Sequence, residues 1–445
     1  MKRALIAAAA VAVLAGGVAH AVELAVPTST FGRLDRVFLI MMENQTNTDI
    51  LGNPNAPFIN SYATIANRAT NYFAVGHPSA PNYLEIVGGS NFNLTNDYWP
   101  IWVNGGCVDN SPGSTGCVNA FAPISAPGYD NPIPQTAPSG GCNGQLAFTG
   151  PAVPMNCALR NYSSIFYTPI SIADQLVAVG KRWKTYQESL PTVPLTSGSP
   201  PPLPLPPLGV NYSDGMWSNL SPVSVFGPGP IQKLYAVKHN PFAYFQNIET
   251  GTNPALSMQK VVDFDGLHGL WADLQGATGP GFGAPMIGPH LWFIVPNQCH
   301  DMHGISPSSA ELIGLPACGY PEAEPDNGPI QLGDQWLKKT VGAIKRSPAW
   351  QGNSEIIISW DENDYDTDTS GGPFSPVGAE GKELGGGLAP TIVVSSQHPG
   401  HVVNNTPTDH YSTLDAIQQM WHLGCLANTC RFTNEEYEQF KNLFN

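Results

Sequence analysis

The sequence predicts an α/β protein in which a parallel sheet lies between two layers of helices, a three-layer α/β/α sandwich. Four continuous apolar runs are typical of strands that are buried on both faces of a parallel sheet. Segments with helical apolar spacing lie between these runs, and this alternation favours α/β architecture. Polar residues follow each run, as expected where strands end at a ligand-binding edge.

Each predicted strand brings polar or metal-competent residues to its carboxyl end. The runs occupy Arg36–Met42, Leu291–Val295, Glu355–Trp360 and Pro390–Ser395. The residues that follow them, in the same order, are Glu43-Asn44; His300, Asp301 and His303; Asp361-Glu362; and His398, His401 and His410. Because the carboxyl ends of parallel strands share one edge, we expect a common site there.

Three predicted helices occupy Ser171–Val179, Asp334–Lys345 and Ser412–Leu423, the last with Ser412 as its N-cap. Two regions depart from the α/β rhythm. Asn91–Tyr162 is rich in Gly, Pro, Asn and Cys and indicates a disulfide-stapled insertion, while Pro191–Pro207 indicates an extended surface loop. Candidate site residues occur on both sides of that loop, so we expect one catalytic domain, residues 22–445, with insertions near 91–162 and 191–207.

The first 21 residues have the pattern of a signal peptide. Lys2 and Arg3 precede an apolar run, Ala4–Val18, and Ala19-His20-Ala21 supplies small residues for cleavage. The run is shorter than the ~20 residues of a membrane-spanning helix, so we expect removal of 1–21 and no stable membrane insertion. The predicted location is secreted or periplasmic.

The balance of charge excludes one class of partner. The chain has 34 acidic and 19 basic residues, a formal net charge of −15. A protein that binds nucleic acid needs a basic surface, so no nucleic-acid partner is predicted. The oligomeric state is left open.

Eight cysteines in an oxidising compartment indicate a disulfide framework. Pairing neighbours in the sequence closes four short loops, and we prefer this connectivity among the possible ones. The preferred pairs are Cys107–Cys117, Cys142–Cys157, Cys299–Cys318 and Cys425–Cys430.

The segment His77-Pro78-Ser79-Ala80-Pro81-Asn82-Tyr83 carries the candidate nucleophile. A Ser beside a helix start can present its hydroxyl where backbone N–H groups stabilise an anion, and Asn82 can donate to a phosphoryl oxygen. The alternative is that Ser79 is only an N-cap and Asn82 only a turn residue. The acidic residues at the strand ends favour the catalytic interpretation.

Divalent metal ions, one or two, are the predicted cofactors, because coordination stabilises the alkoxide of a weakly nucleophilic hydroxyl. Glu43, Asp361 and Glu362 are hard oxygen ligands for Mg, Ca, Mn or Zn, and Asn44 can add its carbonyl oxygen. A second set, mixed in oxygen and nitrogen, contains Asp301, His303 and His410. The alternative for a single carboxylate such as Glu43 is a helix cap or a surface position.

Five segments together resemble the bacterial and fungal phosphoesterase family of the alkaline phosphatase superfamily. They are MMENQTNTDILGNPNAPFINSYA, HPSAPNYLEIVGGS, FIVPNQCHDMHG, SWDEND and DHYSTLDAIQQMW. The family contains acid phosphatases and bacterial phospholipases C, and the compact HPS-x-PNY form is closer to the acid phosphatases. The resemblance implies an alkaline-phosphatase-like fold, Ser79 as nucleophile, and Glu43, Asn44, Asp361 and Glu362 at the metal.

The expected reaction is hydrolysis of phosphate monoesters through a phosphoserine at Ser79. His77 would protonate the leaving alcohol, and His303 or His410 would assist the attacking water. Two alternatives are a phospholipase C-type phosphodiesterase and a phosphatase of lipid head groups, so the substrate is a small phosphate ester or a phospholipid head group. A further alternative, from another class, is a secreted metal-binding scaffold without catalysis.

Overall fold

The computed structural model describes residues 34–91, 171–190, 234–249, 253–265, 268–276, 288–320, 327–364, 370–372, 385–397, 400–431 and 440–444. The predicted signal peptide and the predicted Pro-rich loop lie outside the described residues. So does the predicted insertion after its first residue, Asn91, with four of the cysteines, Cys107, Cys117, Cys142 and Cys157. No helix within the described ranges is long and apolar enough to cross a membrane.

Ten strands and nine α-helices are assigned within the described residues. The strands are β1 Arg36–Met42, β2 Asn67–Ala69, β3 Tyr72–Phe73, β4 Trp183–Gln187, β5 Val261–Val262, β6 Leu291–Val295, β7 Ser354–Trp360, β8 Thr391–Ser395, β9 Val403–Asn404 and β10 Thr408–Asp409. The helices are α1 Asn47–Ile50, α2 Pro57–Ile65, α3 Ser79–Gly88, α4 Ile172–Ala178, α5 Gln246–Glu249, α6 Leu270–Leu274, α7 Pro307–Leu312, α8 Asn327–Arg346 and α9 His410–Met420.

Eight of these strands form one sheet in the order β5-β4-β6-β1-β7-β8-β2-β9, and β3 pairs with β10 separately. Strand β1 lies parallel to both β6 and β7, with Val37 opposite Leu291 on one side and Met42 opposite Trp360 on the other. The predicted strand positions are therefore reproduced within one residue, and the carboxyl ends of β1, β6 and β7 meet at one edge.

Strand β8 corrects one expectation, because it runs antiparallel to both of its neighbours, β7 and β2. Its amino-terminal residue Thr391 pairs with Ser359, at the edge where β7 ends. The residues after β8 therefore leave from the opposite edge, and the fourth apolar run does not deliver His401 to the common site. A continuous apolar run shows that a strand is buried but carries no information on its direction.

Both faces of the sheet are covered. Every residue of β6, β7 and β8 is buried, although alternate side chains of a strand point to opposite faces. The helices pack in groups, α2 against α8 and α3 against α9 and α4. The predicted α/β sandwich with a central sheet is confirmed.

The helix starts follow capping chemistry. Ser171 caps α4 with Asp174 in a capping box, in agreement with the predicted start. Helix α9 begins earlier than predicted, because Asp409 is its N-cap and Ser412 is the third residue of the same capping box. The earlier start makes His410 the first residue of α9.

Two of the predicted disulfides lie among the described residues, and both are formed. Cys299 is bonded to Cys318, and Cys425 to Cys430. The first bond fixes the loop that follows β6 and carries Asp301 and His303.

Candidate active site

The site begins where β1 and β7 end side by side. Met42 and Trp360 are register partners, so Glu43 and Asp361 leave the sheet at the same level. The Asp361 N–H donates to Met42 O at 3.0 Å, and the Glu43 N–H donates to Asp301 O at 2.8 Å. Backbone hydrogen bonds thus join the three segments that carry the predicted acidic residues.

Three carboxylates converge at this edge. Glu43, Asp361 and Glu362 are buried, and each offers one oxygen within 4.8 Å of the others. Asp361 Oδ2 has no hydrogen-bond partner within the described part of the chain. Three mutually repelling carboxylates with an unused oxygen fit a hard divalent cation, which takes oxygen ligands. The donor set therefore suits the predicted metal.

Ser79 lies against this cluster as the first residue of α3. Its Oγ donates toward Glu43 Oε2 at 3.1 Å and Glu362 Oε1 at 3.0 Å, and it accepts from Lys238 Nζ at 3.2 Å. The hydroxyl is thus placed between two carboxylates and an ammonium group, at a helix start that favours negative charge.

Asn82 holds the loop that presents Ser79. Its Oδ1 accepts from the N–H groups of Val75 and Gly76, both at 3.1 Å, and its Nδ2 donates to Gly76 O at 2.7 Å and Pro78 O at 3.2 Å. The amide is thereby committed to the backbone of residues 75–78. In this arrangement Asn82 is a positioning residue, and its predicted contact with phosphate stays a prediction.

His77 and Asn44 touch the cluster from two directions. His77 Nδ1 pairs with Glu362 Oε2, and its ring is buried. The Asn44 N–H donates to Asp361 Oδ1 at 3.2 Å, so Asn44 contacts the cluster through its backbone.

Lys238 and His239 are the residues that sequence reasoning missed. His239 Nε2 lies 2.9 Å from Glu43 Oε1, and its Nδ1 lies 3.5 Å from Asp301 Oδ2. The imidazole stacks on Tyr83, with ring centroids 5.1 Å apart and an interplanar angle of 12°. Both residues belong to a short 3₁₀ turn. The carboxylates were predicted because they directly follow buried strands, and this pattern does not include Lys238 and His239.

Asp301 and His303 lie on the Glu43 side of the cluster. The His303 N–H donates to Asp301 Oδ1 at 2.8 Å, and its Nδ1 lies 2.8 Å from Gly304 O. Because the carbonyl can only accept, Nδ1 carries the proton and Nε2 keeps a lone pair. The rings of His303 and His239 are 6.2 Å apart between centroids.

His410 lies on the other side, behind Asp361. Its Nε2 donates to Asp361 O at 2.6 Å, and its Nδ1 lies 2.9 Å from Tyr72 Oη. Both ring nitrogens are used in these hydrogen bonds, so the second predicted ligand set is divided between the two sides. The geometry gives His410 a positioning role, and its role as a ligand stays a prediction.

Comparison with known proteins shows which family the chain is similar to. The family model described as "Phosphoesterase family" matches residues 317–424, a range that includes Asp361, Glu362 and His410. The predicted resemblance to the phosphoesterase family is therefore confirmed. It is 22% identical over 422 residues to a phosphatidylinositol-3-phosphatase of Mycobacterium tuberculosis, covering 94% of this chain and 88% of that protein. It is 21% identical to a probable acid phosphatase of Kluyveromyces lactis, covering 91% of this chain and 65% of the relative.

The phosphoesterase also has similar solved structures. A protein of the alkaline phosphatase superfamily from Vibrio parahaemolyticus gives a TM-score of 0.40 at 10% identity, covering 91% of this chain and 72% of that chain. A phosphonate monoester hydrolase of Agrobacterium radiobacter gives 0.35 at 14% identity, covering 87% and 74%. The family and the phosphatase relatives confirm the predicted enzyme class, a phosphoric ester hydrolase.

Electrostatics distinguish the two sides of the phosphoesterase site. Burial alone would raise the pKa of Glu43, but His239, Lys238 and His303 outweigh burial and lower it. Burial, followed by Glu43 and Glu362, raises the pKa of Asp361 well above its usual value. Glu43 thus has positive partners that lower its pKa, whereas Asp361 is repelled by both Glu43 and Glu362.

Proposed function

We propose that this phosphoesterase hydrolyses phosphate monoesters with Ser79 as its nucleophile, beside a divalent cation held by Glu43, Asp361 and Glu362. The observation that carries the proposal is the position of Ser79 Oγ, within 3.1 Å of two carboxylates of a buried cluster. An isolated Ser at a helix start would have no such neighbours.

The cation would be bound by one oxygen from each carboxylate, and the carbonyl oxygen of Asn44 would be a further ligand. When bound, it would stabilise the Ser79 alkoxide and the charge on the transferred phosphoryl group. The set is rich in carboxylate oxygens and accepts Mg, Mn, Ca or Zn. A second ion would use Asp301 on the Glu43 side.

In the first step, Ser79 Oγ attacks phosphorus, its proton passes to Glu362 Oε1, and the ester oxygen leaves with a proton from His77. The products of this step are phosphoserine and the alcohol. Lys238 Nζ, 3.2 Å from Ser79 Oγ, contributes a positive charge beside the developing phosphoryl negative charge.

In the second step, water attacks the phosphoserine opposite Ser79 and gives its proton to Nε2 of His303, the nitrogen that keeps a lone pair. The bond from Oγ to phosphorus breaks, Ser79 regains a proton, and inorganic phosphate is released. Glu43 and Asp301 orient His239, which together with Lys238 offers positive charge for phosphate binding.

The relatives named phosphatidylinositol-3-phosphatase and acid phosphatase support a monoester substrate. The former favours a second candidate, a phosphatase of lipid head groups, while a phospholipase C-type diesterase is the weaker alternative. Hydrolysis of p-nitrophenyl phosphate, p-nitrophenyl phosphorylcholine and phosphatidylinositol 3-phosphate, measured side by side, separates the three. We also propose that residues 1–21 are removed, that the remaining chain forms one catalytic domain, and that this domain acts outside the cytoplasm.

Substitution of the nucleophile tests the mechanism. Ser79→Ala should lower kcat for p-nitrophenyl phosphate by about a thousandfold or more with little change in thermal stability, because no other hydroxyl occupies this position. Ser61→Ala, at an exposed position of α2, is the matched control and should leave kcat unchanged. A folded Ser79→Ala enzyme that keeps a tenth of the activity would show that Ser79 is not the nucleophile.

A further inference from the structure

A second pocket lies at the outer edge of the sheet. It has a volume of about 370 Å³, in the range of small-ligand sites. Its walls come from the loop after α1, from α2, from β2 and from the chain before β9. The lining residues are Leu51, Gly52, Asn60, Ala63, Thr64, Arg68 and His401.

Arg68 gives the pocket its charge. The residue is partly buried, and its Nε is fully buried with no hydrogen-bond partner within the described ranges. Buried donors in proteins nearly always have an acceptor, and a guanidinium stays charged in every protein environment. The chain has nearly twice as many acidic as basic residues, yet none of the seven lining residues carries a carboxylate.

The opposite wall is fixed in place. Asn60 Oδ1 accepts from the Gly52 N–H at 2.6 Å, and its Nδ2 donates to three backbone carbonyls, including Ala56 O at 2.8 Å. Asn60 thus ties the loop at Gly52 to α2 and does not itself satisfy Arg68. His401 is exposed at the pocket and adds a second positive charge when protonated.

The pocket is separate from the active site. Strand β2, which carries Arg68, is three places from β1 in the sheet, about 14 Å at the usual strand spacing. Residues Glu43 to Gly52 connect the two sites along the chain, through α1.

Two exposed aliphatic residues are neighbours, in sequence or in strand register, of residues that line the pocket. Ile65 follows Thr64 at the end of α2 and is 61% exposed, and Val403, the register partner of Arg68 in β9, is 38% exposed. Side chains of register partners lie on the same face of a sheet, so Val403 flanks the guanidinium. A cationic pocket with an aliphatic rim suits the head group of an amphiphile as well as a free ion.

We propose that the pocket at Arg68 binds a phosphate-type oxyanion, through the Arg68 guanidinium and the His401 imidazole. A tetrahedral oxyanion supplies the counter-charge that Arg68 lacks among the lining residues, and it forms the charge-assisted hydrogen bonds that guanidinium groups favour. Free phosphate and the phosphate of a lipid head group share this chemistry.

The test compares Arg68→Gln with Arg346→Gln, an exposed arginine at the end of α8, in the full-length protein. Inorganic phosphate is titrated by calorimetry, and vesicles of phosphatidylcholine with or without phosphatidylglycerol are tested by co-sedimentation. We expect Arg68→Gln alone to weaken one of these two interactions by about tenfold or more, since it removes hydrogen bonds to a charged group. Hydrolysis of p-nitrophenyl phosphate should remain unchanged, because Arg68 lies outside the active site.

Loss of a phosphate site in Arg68→Gln identifies a free anion as the ligand. Loss of binding to phosphatidylglycerol vesicles, without a phosphate site in the wild type, identifies a head group. Equal binding by wild type and Arg68→Gln in both assays overturns the proposal. Should Arg68→Gln fail to fold, the exposed His401→Ala decides, and its failure to weaken either interaction overturns the proposal as well.

Discussion

Strand β7 carries buried carboxyl groups at both ends, and the two ends differ in what surrounds these groups. At the amino end, Glu355 has one hydroxyl partner, Ser395 Oγ at 2.8 Å, and burial raises its pKa to about 9. At the carboxyl end, Asp361 and Glu362 lie beside Glu43 and Ser79. A lone buried carboxyl group avoids its charge by keeping a proton, whereas a cluster of carboxylates beside a hydroxyl suits a cation. Burial of acidic residues alone therefore does not indicate a site, but their convergence does.

The largest expected difference in kcat comes from replacing a carboxylic acid by its amide at each end of β7. Asp361→Asn should lower kcat for p-nitrophenyl phosphate by about a thousandfold, because it removes a proposed metal ligand worth several kcal/mol to the transition state. Glu355→Gln, which replaces one neutral group by another at neutral pH, should leave kcat within about twofold. Steady-state kinetics on both purified variants measure this difference. Similar losses of kcat in the two variants would show that the two ends of β7 do not differ in function.

Removal of divalent cations should affect only the carboxylate cluster at the carboxyl end of β7. Dialysis of the wild type against a chelator should abolish hydrolysis, and addition of one of Mg, Mn, Ca or Zn should restore it. The wild type should also gain thermal stability from that ion, by several degrees in Tm, because binding favours the folded state. Asp361→Asn should lose this gain, and Glu355→Gln should retain it. Full activity in the chelated wild type would exclude the metal from the mechanism.

A smaller effect on kcat is expected from substitution of His410, which lies behind the carboxylate cluster. Tyr72 Oη and Asp361 O hold the two nitrogens of His410, so His410→Gln should lower kcat by about tenfold to a hundredfold, as outer-shell changes do. Tyr72→Phe removes only one of these hydrogen bonds and should cost less. For a positioning role, KM should stay nearly constant and affinity for the activating metal should weaken, which a metal titration of activity measures.

The smallest effect concerns stability and pH. The pKa of Glu355 is about 9 in the folded protein and near 4.5 in the unfolded chain, so its contribution to stability is complete below about pH 4.5 and is lost as pH rises toward 9. Glu355→Gln does not titrate, and its advantage in Tm over the wild type should grow by a few degrees between pH 6 and pH 9. Thermal melts at both pH values measure this difference, and parallel curves for the two proteins would show that Glu355 is already ionised in the folded protein at pH 6, so that its pKa is not raised.

The apolar runs located β1, β6, β7 and β8 within one residue, because a strand buried on both faces leaves an unbroken apolar segment. Such runs do not encode direction, so the antiparallel β8 sends His401 to the pocket at Arg68 instead of to the active site. His410 reaches the active-site region by a different route, at the start of α9 after β10.

The acidic part of the site could be predicted because its residues directly follow strands. Lys238 and His239 could not, since their position depends on how a 3₁₀ turn packs against α3, a contact distant in the sequence. The hydrogen bonds between the Asn82 side chain and the backbone of its own loop could not be predicted either, because the sequence does not show whether an amide side chain is hydrogen-bonded.

In the proposed mechanism, Ser79 takes the phosphoryl group from the substrate. The most direct measurement mixes the metal-loaded enzyme with p-nitrophenyl phosphate, quenches in acid within one turnover, and locates the bound phosphate by peptide mass spectrometry. We expect one phosphate on the peptide that contains Ser79, and no phosphate on that peptide in Ser79→Ala. Phosphate on another residue, such as His239, or a burst of p-nitrophenol without any phosphorylated peptide, would contradict it.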